Sequence, residues 1–299
     1  MKALYDVVAP AKLNLFLHVT GRRPDGYHLI QSVFMLIDWC DTLHFEVRND
    51  GQVSREDLYG ELPAEDLVLR AARALKSHTG CPLGAHISIE KRIPTQAGMG
   101  GGSSDAATCL LALNRLWDLN LPLSELEKLG LRLGADVPFF LRGRNAWVEG
   151  IGEIITPLTL DARLEPSHFV VLKPAAGLDT SKIFAAGDLE RSTKPARISG
   201  FAEGSKFDFG HNDLQPVAER YCPEIGLALQ WLETRGLSGR MTGSGSAVFA
   251  QCRQASHHPS EADLPSGWQM RICSNLEVHP LWGWASCDNE LVDSINNGS

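Results

Sequence analysis

The fold is decided by a run of small residues that stands between a predicted strand and a predicted helix: Gly98-Met99-Gly100-Gly101-Gly102-Ser103-Ser104. Upstream, Ile87 and Ile89 alternate with polar residues, which indicates a strand that ends near Pro94. Downstream, apolar residues from Ser103 to Trp117 recur at helical spacing, and we expect serine and aspartate at the start to cap this helix. Strand, glycine loop and helix in this order predict an anion-binding loop, because backbone N–H groups and the positive helix end point into the same space.

This loop alone leaves several classes of protein open. It lacks the Gly-x-x-x-x-Gly-Lys-Ser/Thr run of P-loop proteins and the third glycine of a dinucleotide-binding motif. Gly102-x-Ser104-x-Ala106 approximates the nucleophile elbow of α/β-hydrolases, so a serine hydrolase is one alternative. A flexible glycine linker and a nucleotide-sensing protein without catalytic groups are the others.

Two charged residues in apolar surroundings are candidates for catalysis. Lys12 shares one face of an apolar strand with Asn14, where a buried cation needs a partner, unless it is an edge lysine that reaches solvent. Asp136 follows a predicted helix end at Gly134 and precedes an apolar run, so it is either a base or a capping residue. Together they would give phosphoryl transfer a carboxylate that accepts a hydroxyl proton and a cation that offsets developing charge.

Patterns in the first half of the chain predict mixed strands and helices. Residues 5–20 predict a strand, a break at Pro10 and a second strand. The Asp25-Gly26 turn predicts a return into a strand over residues 32–47. A further helix should begin at Ser124, with a capping box to Glu127, and end at Gly134.

The second half continues the mixture, which favours an α+β fold. We expect a strand over residues 169–172, a mobile connection over 188–209 and a helix over 214–235. A second glycine turn, Gly243-Ser244-Gly245, then leads into a strand, and it either adds backbone donors for phosphates or only reverses the chain. Three aromatic side chains are candidates for stacking on a ligand ring, although such residues more often pack in a core: Tyr27, His28 and Phe184.

Composition narrows the classes further. A chain of 299 residues with 43% hydrophobic and 21% charged residues should fold throughout and is long enough for two domains. A net charge of −8 offers no basic surface for nucleic acid or anionic lipid, and no apolar run reaches the roughly 20 residues of a membrane span. Seven cysteines without a Cys-x-x-Cys pair, the last being Cys287, predict reduced thiols, and no secretory signal is evident, so we expect a cytoplasmic protein.

Three motifs resemble those of the GHMP kinases and occur in the order typical of that family: Pro10-Ala11-Lys12-Leu13-Asn14-Leu15, the loop from Pro94 to Asp105, and Thr242-Gly243-Ser244-Gly245-Ser246-Ala247. Two more resemble those of the members that act on a diphosphocytidyl-methylerythritol: Arg22-Arg23-Pro24-Asp25-Gly26-Tyr27-His28 and Gly134-Ala135-Asp136-Val137-Pro138-Phe139-Phe140. The similarity runs from Pro10 to about Ala250, and the tail beyond Pro280 carries no motif.

The resemblance implies a two-domain α+β fold, the GHMP kinase fold. Residues 1–158 would form an N-terminal ATP-binding domain similar to the second domain of ribosomal protein S5. Residues 159–299 would form a ferredoxin-like C-terminal domain that binds the substrate. We expect a monomer or a weak homodimer.

The resemblance also implies a reaction, in which ATP with Mg²⁺ donates its γ-phosphate to the 2-hydroxyl of the diphosphocytidyl-methylerythritol in the non-mevalonate route to isoprenoid precursors. Asp136 would be the base, and Lys12 would orient it and stabilise charge, while the Mg²⁺ ligands are unassigned. ATP would be held by Pro94, Thr95, Gln96, Ala97, Gly98, Met99, Gly100, Gly101, Gly102, Ser103 and Ser104, with Lys91 and Asp66 beside the adenine. The cytidine substrate would be held by Asn14, Tyr27, His28, Thr180 and Phe184, with Tyr27 and Phe184 enclosing the cytosine and with Gly243, Ser244 and Gly245 near the phosphates.

The chain departs from the family pattern at three positions. Gln96 stands where glycine is usual, Met99 where leucine is commoner, and Asp66 where asparagine is usual. A homoserine- or mevalonate-type kinase would share the glycine loop but would lack the turn over residues 22–28 and would have no use for a cytosine clamp. The turn therefore favours the cytidine substrate.

Overall fold

A long antiparallel hairpin of β1 (Ala3–Arg22) and β2 (His28–Arg48) organises the first sheet. The computed structural model describes residues 1–60, 62–252, 259–260 and 263–286. The prediction that the chain turns at Asp25-Gly26 and returns as a second strand is confirmed. The predicted break at Pro10 is wrong, because β1 continues through a register shift between Pro10 and Ala11, and such a bulge accommodates a residue that has no N–H.

Four shorter strands complete this sheet: β3 (Val53–Tyr59), β4 (Gly84–Glu90), β5 (Ala146–Glu149) and β6 (Ile154–Pro157). The order is β3-β4-β2-β5-β6, with β1 paired to β2, and only β3 and β4 pair in parallel. The strand predicted around Ile87 and Ile89 is therefore β4.

Four helices pack against the sheet: α1 (Leu67–Thr79), α2 (Gly101–Leu116), α3 (Leu123–Leu133) and α4 (Val137–Arg142). Helix α2 begins two residues earlier than predicted, and its N-cap is Gly100 at φ 71° rather than a serine or aspartate. Helix α3 has Pro122 as its N-cap, so the predicted capping box from Ser124 is wrong, whereas its end at Gly134 is confirmed.

The second sheet is antiparallel, with the order β10-β7-β9-β8. Its strands are β7 (His168–Lys173), β8 (Gly239–Met241), β9 (Val248–Cys252) and β10 (Gln269–Ser274). The helices of this half are α5 (Thr180–Ala185), α6 (Ile198–Glu203), α7 (Gln215–Tyr221) and α8 (Glu224–Glu233). The α+β class is confirmed.

Two predictions for the second half need correction. The connection over residues 188–209 contains helix α6 and buries Leu189 and Phe201, so it is packed rather than mobile. The helix predicted over residues 214–235 is two helices, because Pro223 restricts the backbone before it and interrupts the hydrogen-bond ladder.

The hydrophobic core has three parts, and one of them packs residues of the first sheet against residues of the second. Phe16 and Met35 of the first sheet pack there with Phe169 and Phe249 of the second. No helix in the described part of the chain is long and apolar enough to cross a membrane. Free thiols are confirmed at Cys40, Cys81, Cys109, Cys222 and Cys273, and Cys287 lies outside the described residues.

Candidate active site

A cavity of about 1060 Å³ is lined by residues from both halves of the chain. Every predicted site residue lines it except Ser104. The Ser104 side chain is fully buried, and its hydroxyl has no hydrogen-bond partner among the residues that the structure describes. A nucleophile elbow needs an exposed serine, so the hydrolase alternative loses its nucleophile.

Lys12 projects from β1 towards the cavity and is almost completely buried, so the alternative of an edge lysine in solvent is wrong. Its Nζ donates a hydrogen bond to Oδ1 of Asn14 and lies 3.6 Å from Oδ2 of Asp136. The ring centroid of Phe34 is 4.5 Å from the same ammonium. Burial lowers the pKa of Lys12, and the carboxylate of Asp136 opposes this shift.

Asn14 is fixed so that its amide oxygen faces the ammonium. Its Nδ2 donates to Oγ of Ser32 at 2.9 Å, and its backbone N–H donates to Oγ1 of Thr242 at 2.9 Å. The bond to Ser32 assigns the orientation of the amide, which leaves the oxygen for Lys12. Asn14 therefore helps to position the ammonium of Lys12.

Asp136 stands at the N-cap position of α4, but its side chain makes no capping hydrogen bond. Pro138 lies in the first turn of this helix and has no N–H, which leaves fewer donors for a cap. The carboxylate points to Lys12 instead, and 29% of it stays exposed to the cavity. A carboxylate that is held by a buried cation and open on one side can accept a proton from a bound hydroxyl.

The glycine loop and the second glycine turn lie against each other. Gly98 has φ 74°, and a Cβ added to it would lie 2.3 Å from the carbonyl oxygen of Thr242. A Cβ on Gly243 would lie 2.6 Å from the carbonyl oxygen of Gly98. The backbone N–H of Ala247 donates to the carbonyl of Ala97 at 3.2 Å. Only glycines allow this approach, and it joins a loop of the first half to a turn of the second.

The N-terminus of α2 opens into the cavity through four lining residues, Gly100, Gly101, Gly102 and Ser103. The first N–H groups of a helix have no partner within the helix and carry its positive end. A Cβ on Gly100 would lie 3.0 Å from the ring of Phe140 and 3.3 Å from Cε of Lys12. Phosphates bound by these N–H groups would thus lie next to the Lys12–Asp136 pair.

The residues predicted to hold the cytidine lie together on one side of the cavity. The ring that faces Phe184 is that of His28, with centroids 5.0 Å apart, whereas 61% of Tyr27 is exposed. Nε of Arg191 donates to Nε2 of His28 at 3.0 Å. Partial burial lowers the pKa of His28, as do the nearby arginines, and the bond from Arg191 makes Nε2 an acceptor, which leaves the ring proton to Nδ1. Thr180 lies near the second glycine turn, its hydroxyl 2.7 Å from that of Ser244.

The two residues predicted beside the adenine have their charges paired within the protein. Nζ of Lys91 binds the carboxylates of Asp41 and Asp105, the latter at 2.6 Å. Asp66 is the N-cap of α1, accepts from the backbone N–H of Leu69 at 3.0 Å and pairs with a guanidinium, that of Arg55, at 2.9 Å. Both residues line the cavity, but each is held by its neighbours.

Sequence reasoning missed four supporting residues: Ser32, Asp41, Asp105 and Arg191. Asp105 carried a signal, because it is an acidic residue at the start of an otherwise apolar helix. Arg191 carried none, because it belongs to a connection without periodicity.

Similarity to known proteins agrees with this geometry. The sequence model of the GHMP kinases N terminal domain matches residues 66–144, and that of the GHMP kinases C terminal matches residues 189–263. A protein of Variovorax paradoxus named 4-diphosphocytidyl-2-C-methyl-D-erythritol kinase is 64% identical, covering 96% of this chain and 100% of that relative. The chain belongs to the GHMP kinases. A kinase of the same name from Paracidovorax citrulli is also 64% identical, over 96% of this chain and 99% of the relative.

Solved structures place the chain in the same family. A crystal structure of 4-(cytidine 5'-diphospho)-2C-methyl-D-erythritol kinase matches with a TM-score of 0.76 and 34% identity, over 90% of this chain and 98% of that one. A homoserine kinase from Cytophaga hutchinsonii matches with a TM-score of 0.67 at 14% identity, over 93% of this chain and 96% of that one, and shows the fold alone. As a GHMP kinase the chain is a small-molecule kinase that uses ATP, which excludes the linker, sensor and hydrolase alternatives.

Proposed function

We propose that this GHMP kinase transfers the γ-phosphate of ATP to the 2-hydroxyl of 4-diphosphocytidyl-2-C-methyl-D-erythritol, which gives the 2-phosphate and ADP in the methylerythritol phosphate pathway of isoprenoid precursors. The observation that carries the chemistry is the Lys12–Asp136 pair, 3.6 Å apart, beside the N-terminus of α2. The choice of substrate is supported by the name shared by relatives that are 61–64% identical.

The phosphates of ATP would lie on the phosphate loop, which we define as residues 94–104. Backbone N–H groups from Gly98 to Ser103 and the positive end of α2 would bind the β- and γ-phosphates. The second glycine turn, Gly243-Ser244-Gly245, would approach from the other side, since it contacts Gly98. Ser104 would not contact the phosphates, because its side chain is buried and its backbone N–H donates to the carbonyl of Gly100 at 2.9 Å.

In the transfer step, Asp136 would accept the proton of the 2-hydroxyl as the oxygen attacks the γ-phosphorus. Lys12 would hold the carboxylate in place and offset the charge on the transferring group, and Asn14 would keep the ammonium oriented. Burial of Lys12 strengthens these electrostatic contributions, because little water screens them.

Magnesium would be bound mainly by ATP itself. No group of three or more His, Cys, Asp or Glu residues in the described ranges could hold a metal ion, whereas Mg²⁺ on a nucleotide needs few protein ligands. Ser103 lines the cavity in the first turn of α2, and its hydroxyl fits as an oxygen ligand. The ion would neutralise phosphate charge during transfer.

The cytidine would occupy the part of the cavity lined by Tyr27, His28, Thr180 and Phe184. Tyr27 has exposed ring surface that a base can cover, and Nδ1–H of His28 can donate to it.

We further propose a domain boundary between residues 158 and 159, since the first sheet ends with β6 and the second begins with β7. We also propose a location in the cytoplasm, which accords with the free thiols. For the oligomeric state we propose a monomer or a weak homodimer.

A coupled ADP-release assay with four acceptors tests the proposal: the diphosphocytidyl-methylerythritol, homoserine, mevalonate and galactose. We expect turnover with the first alone, its loss on chelation with EDTA and its return with added MgCl₂. Turnover of another acceptor without turnover of the diphosphocytidyl-methylerythritol would overturn the substrate assignment. Full activity in EDTA would show that the reaction does not need Mg²⁺.

A further inference from the structure

An ion cluster lies next to the N-terminus of α2. Nζ of Lys91 donates to Oδ2 of Asp41 and to Oδ2 of Asp105, and all three side chains are buried. Lys91 directly follows β4, Asp41 belongs to β2, and Asp105 belongs to α2. One ammonium group therefore joins three separate elements. We call these residues the Lys91 cluster.

The cluster holds the chain where it enters the phosphate loop. Oδ1 of Asp41 accepts hydrogen bonds from the backbone N–H groups of Arg92, at 2.5 Å, and Ile93, at 2.8 Å. Pro94, the first residue of the phosphate loop, comes next. Asp41 thereby fixes the direction in which the loop leaves the sheet.

The cluster also holds the chain where it leaves the phosphate loop. Asp105 is the residue directly after the loop, and its Oδ2 receives the ammonium of Lys91 at 2.6 Å. Its other carboxylate oxygen is buried and has no hydrogen-bond partner in the part of the chain that the structure describes. Lys91 is thus what fixes this carboxylate, and both ends of the loop depend on one side chain.

Charge gives the cluster a second effect on the loop. Burial and the nearby Asp41 raise the pKa of Asp105, and the ammonium of Lys91 opposes this shift. Carboxylate charge close to a helix N-terminus weakens its attraction for phosphate, and the ammonium offsets that charge. The ammonium of Lys91 is close to that N-terminus, since a Cβ added to Gly101 would lie 3.5 Å from its Nζ. The ammonium is already engaged by two carboxylates, so a contact with the adenine would compete with strong ion pairs.

We propose that the Lys91 cluster positions the phosphate loop for ATP, by fixing both of its ends and by offsetting carboxylate charge beside the N-terminus of α2, and that Lys91 acts on ATP through the loop and not through the adenine. This inference rests on the proposed ATP site. Lys91, Asp41 and Asp105 are positioning residues in this role, and the effect of changing them falls on phosphate binding.

Calorimetric titration of the full chain with ATP, inorganic tripolyphosphate and adenosine tests the proposal. In Lys91→Met we expect Kd for ATP and for tripolyphosphate to rise at least about tenfold, and Kd for adenosine to stay within about twofold. Weaker adenosine binding with unchanged tripolyphosphate binding would overturn the proposal and place Lys91 on the base. Equal changes for all three ligands, or no change, would also overturn it.

A double-mutant cycle separates the cluster from general destabilisation. Lys91→Met should raise Kd for tripolyphosphate less in the Asp105→Asn background than in the unchanged protein, because Lys91 then holds only one end of the loop. If Lys91→Met raises Kd for tripolyphosphate by the same factor in both backgrounds, the proposal that Lys91 holds both ends of the loop is contradicted. If Lys91→Met fails to fold, the Asp105→Asn variant tests the proposal by itself. The proposal then requires that Asp105→Asn changes the affinity for tripolyphosphate and leaves the affinity for adenosine unaltered.

Lys128→Met is the matched control, because Lys128 also pairs with a carboxylate at 2.6 Å but on the exposed face of α3. It should leave all three dissociation constants unchanged. Thermal unfolding followed by circular dichroism reports whether each variant folds. If the unchanged protein binds neither ATP nor tripolyphosphate, the ATP site itself is refuted, and this differs from every outcome that concerns Lys91.

Discussion

Lys12 and Asp136 form a pair in which the cation is buried and the carboxylate is partly open, with Nζ and Oδ2 3.6 Å apart. They come from β1 and from the start of α4, so the pair exists only when the first half of the chain has folded. The asymmetry in exposure separates the two roles. The buried partner holds charge, and the open partner can reach a substrate hydroxyl.

Replacing Asp136, the open partner, should lower turnover and leave ATP binding unchanged. Asp136→Asn keeps the shape of the side chain but cannot accept the proton, so we expect kcat to fall at least about a hundredfold with little change in Kd for ATP. ADP release and nucleotide titration measure the two quantities. Near-normal turnover would remove Asp136 from the mechanism.

The aromatic residues of the cytidine side should contribute to substrate binding alone. Tyr27→Ala and Phe184→Ala should each weaken the cytidine substrate by about 1–3 kcal/mol if the rings stack on the base. Substrate titration measures this, and ATP binding should not change. Tyr221→Ala is a matched control, because 55% of Tyr221 is exposed and it does not line the cavity. An unchanged Kd would assign both rings to packing.

The contact between the two glycine motifs gives a prediction with an internal comparison. Gly98→Ala should raise KM for ATP at least about tenfold, because its Cβ would force apart the loop and the carbonyl of Thr242, 2.3 Å away. Gly80 has a similar φ, 68°, but no atom within 4 Å of an added Cβ. Gly80→Ala should therefore cost about 1 kcal/mol of stability and leave KM unaltered. Similar kinetics for the two variants would show that the contact is irrelevant.

A buried histidine should make the stability of the protein depend on pH. Burial lowers the pKa of His279 to about 3, and its Nδ1 accepts from the backbone N–H of Leu281 at 3.0 Å. Below its usual pKa of about 6.5, the unfolded chain binds a proton that the folded chain excludes. Stability from this residue is therefore fully present above that pH and is lost as the pH falls towards 3.

His279→Asn keeps an acceptor for Leu281 and removes the titration. Between pH 7.5 and pH 5 we expect the free energy of unfolding to fall by about 2 kcal/mol more in the unchanged protein than in this variant. Urea unfolding at both values measures the difference. Parallel losses in the two proteins would mean that His279 titrates normally in the folded state.

The motifs of the sequence are sufficient to identify the fold class, the family and about half of the residues that line the cavity, because each motif has a strict local requirement. Glycines at positive φ, a helix start and a buried lysine leave clear signals in a single sequence. The errors came from contacts that are distant in the chain. Pro10 was expected to break a strand because its partner, β2, cannot be recognised from residues 5–20.

The same reason explains what was missed at the site. The ion pairs of Lys91 could not be predicted, because neither Asp41 nor Asp105 shows in the sequence that it will meet the ammonium. The contact of Phe184 with His28 could not be predicted either, because Arg191, which holds His28, belongs to a connection without any pattern. Side-chain partners that are supplied by irregular segments depend on the packing of the whole chain.

The contact of Gly98 with Gly243 has a consequence for inhibition. A side chain on Gly98 would meet the backbone of Thr242 and Gly245, and one on Gly243 would meet the backbone of Gly98, although 145 positions separate the two glycines. A compound that seats itself against this backbone would touch atoms that point mutations do not alter. A substitution of Gly98 or of Gly243 that blocks such a compound would also force the two backbones apart, so resistance at these positions would damage the enzyme itself.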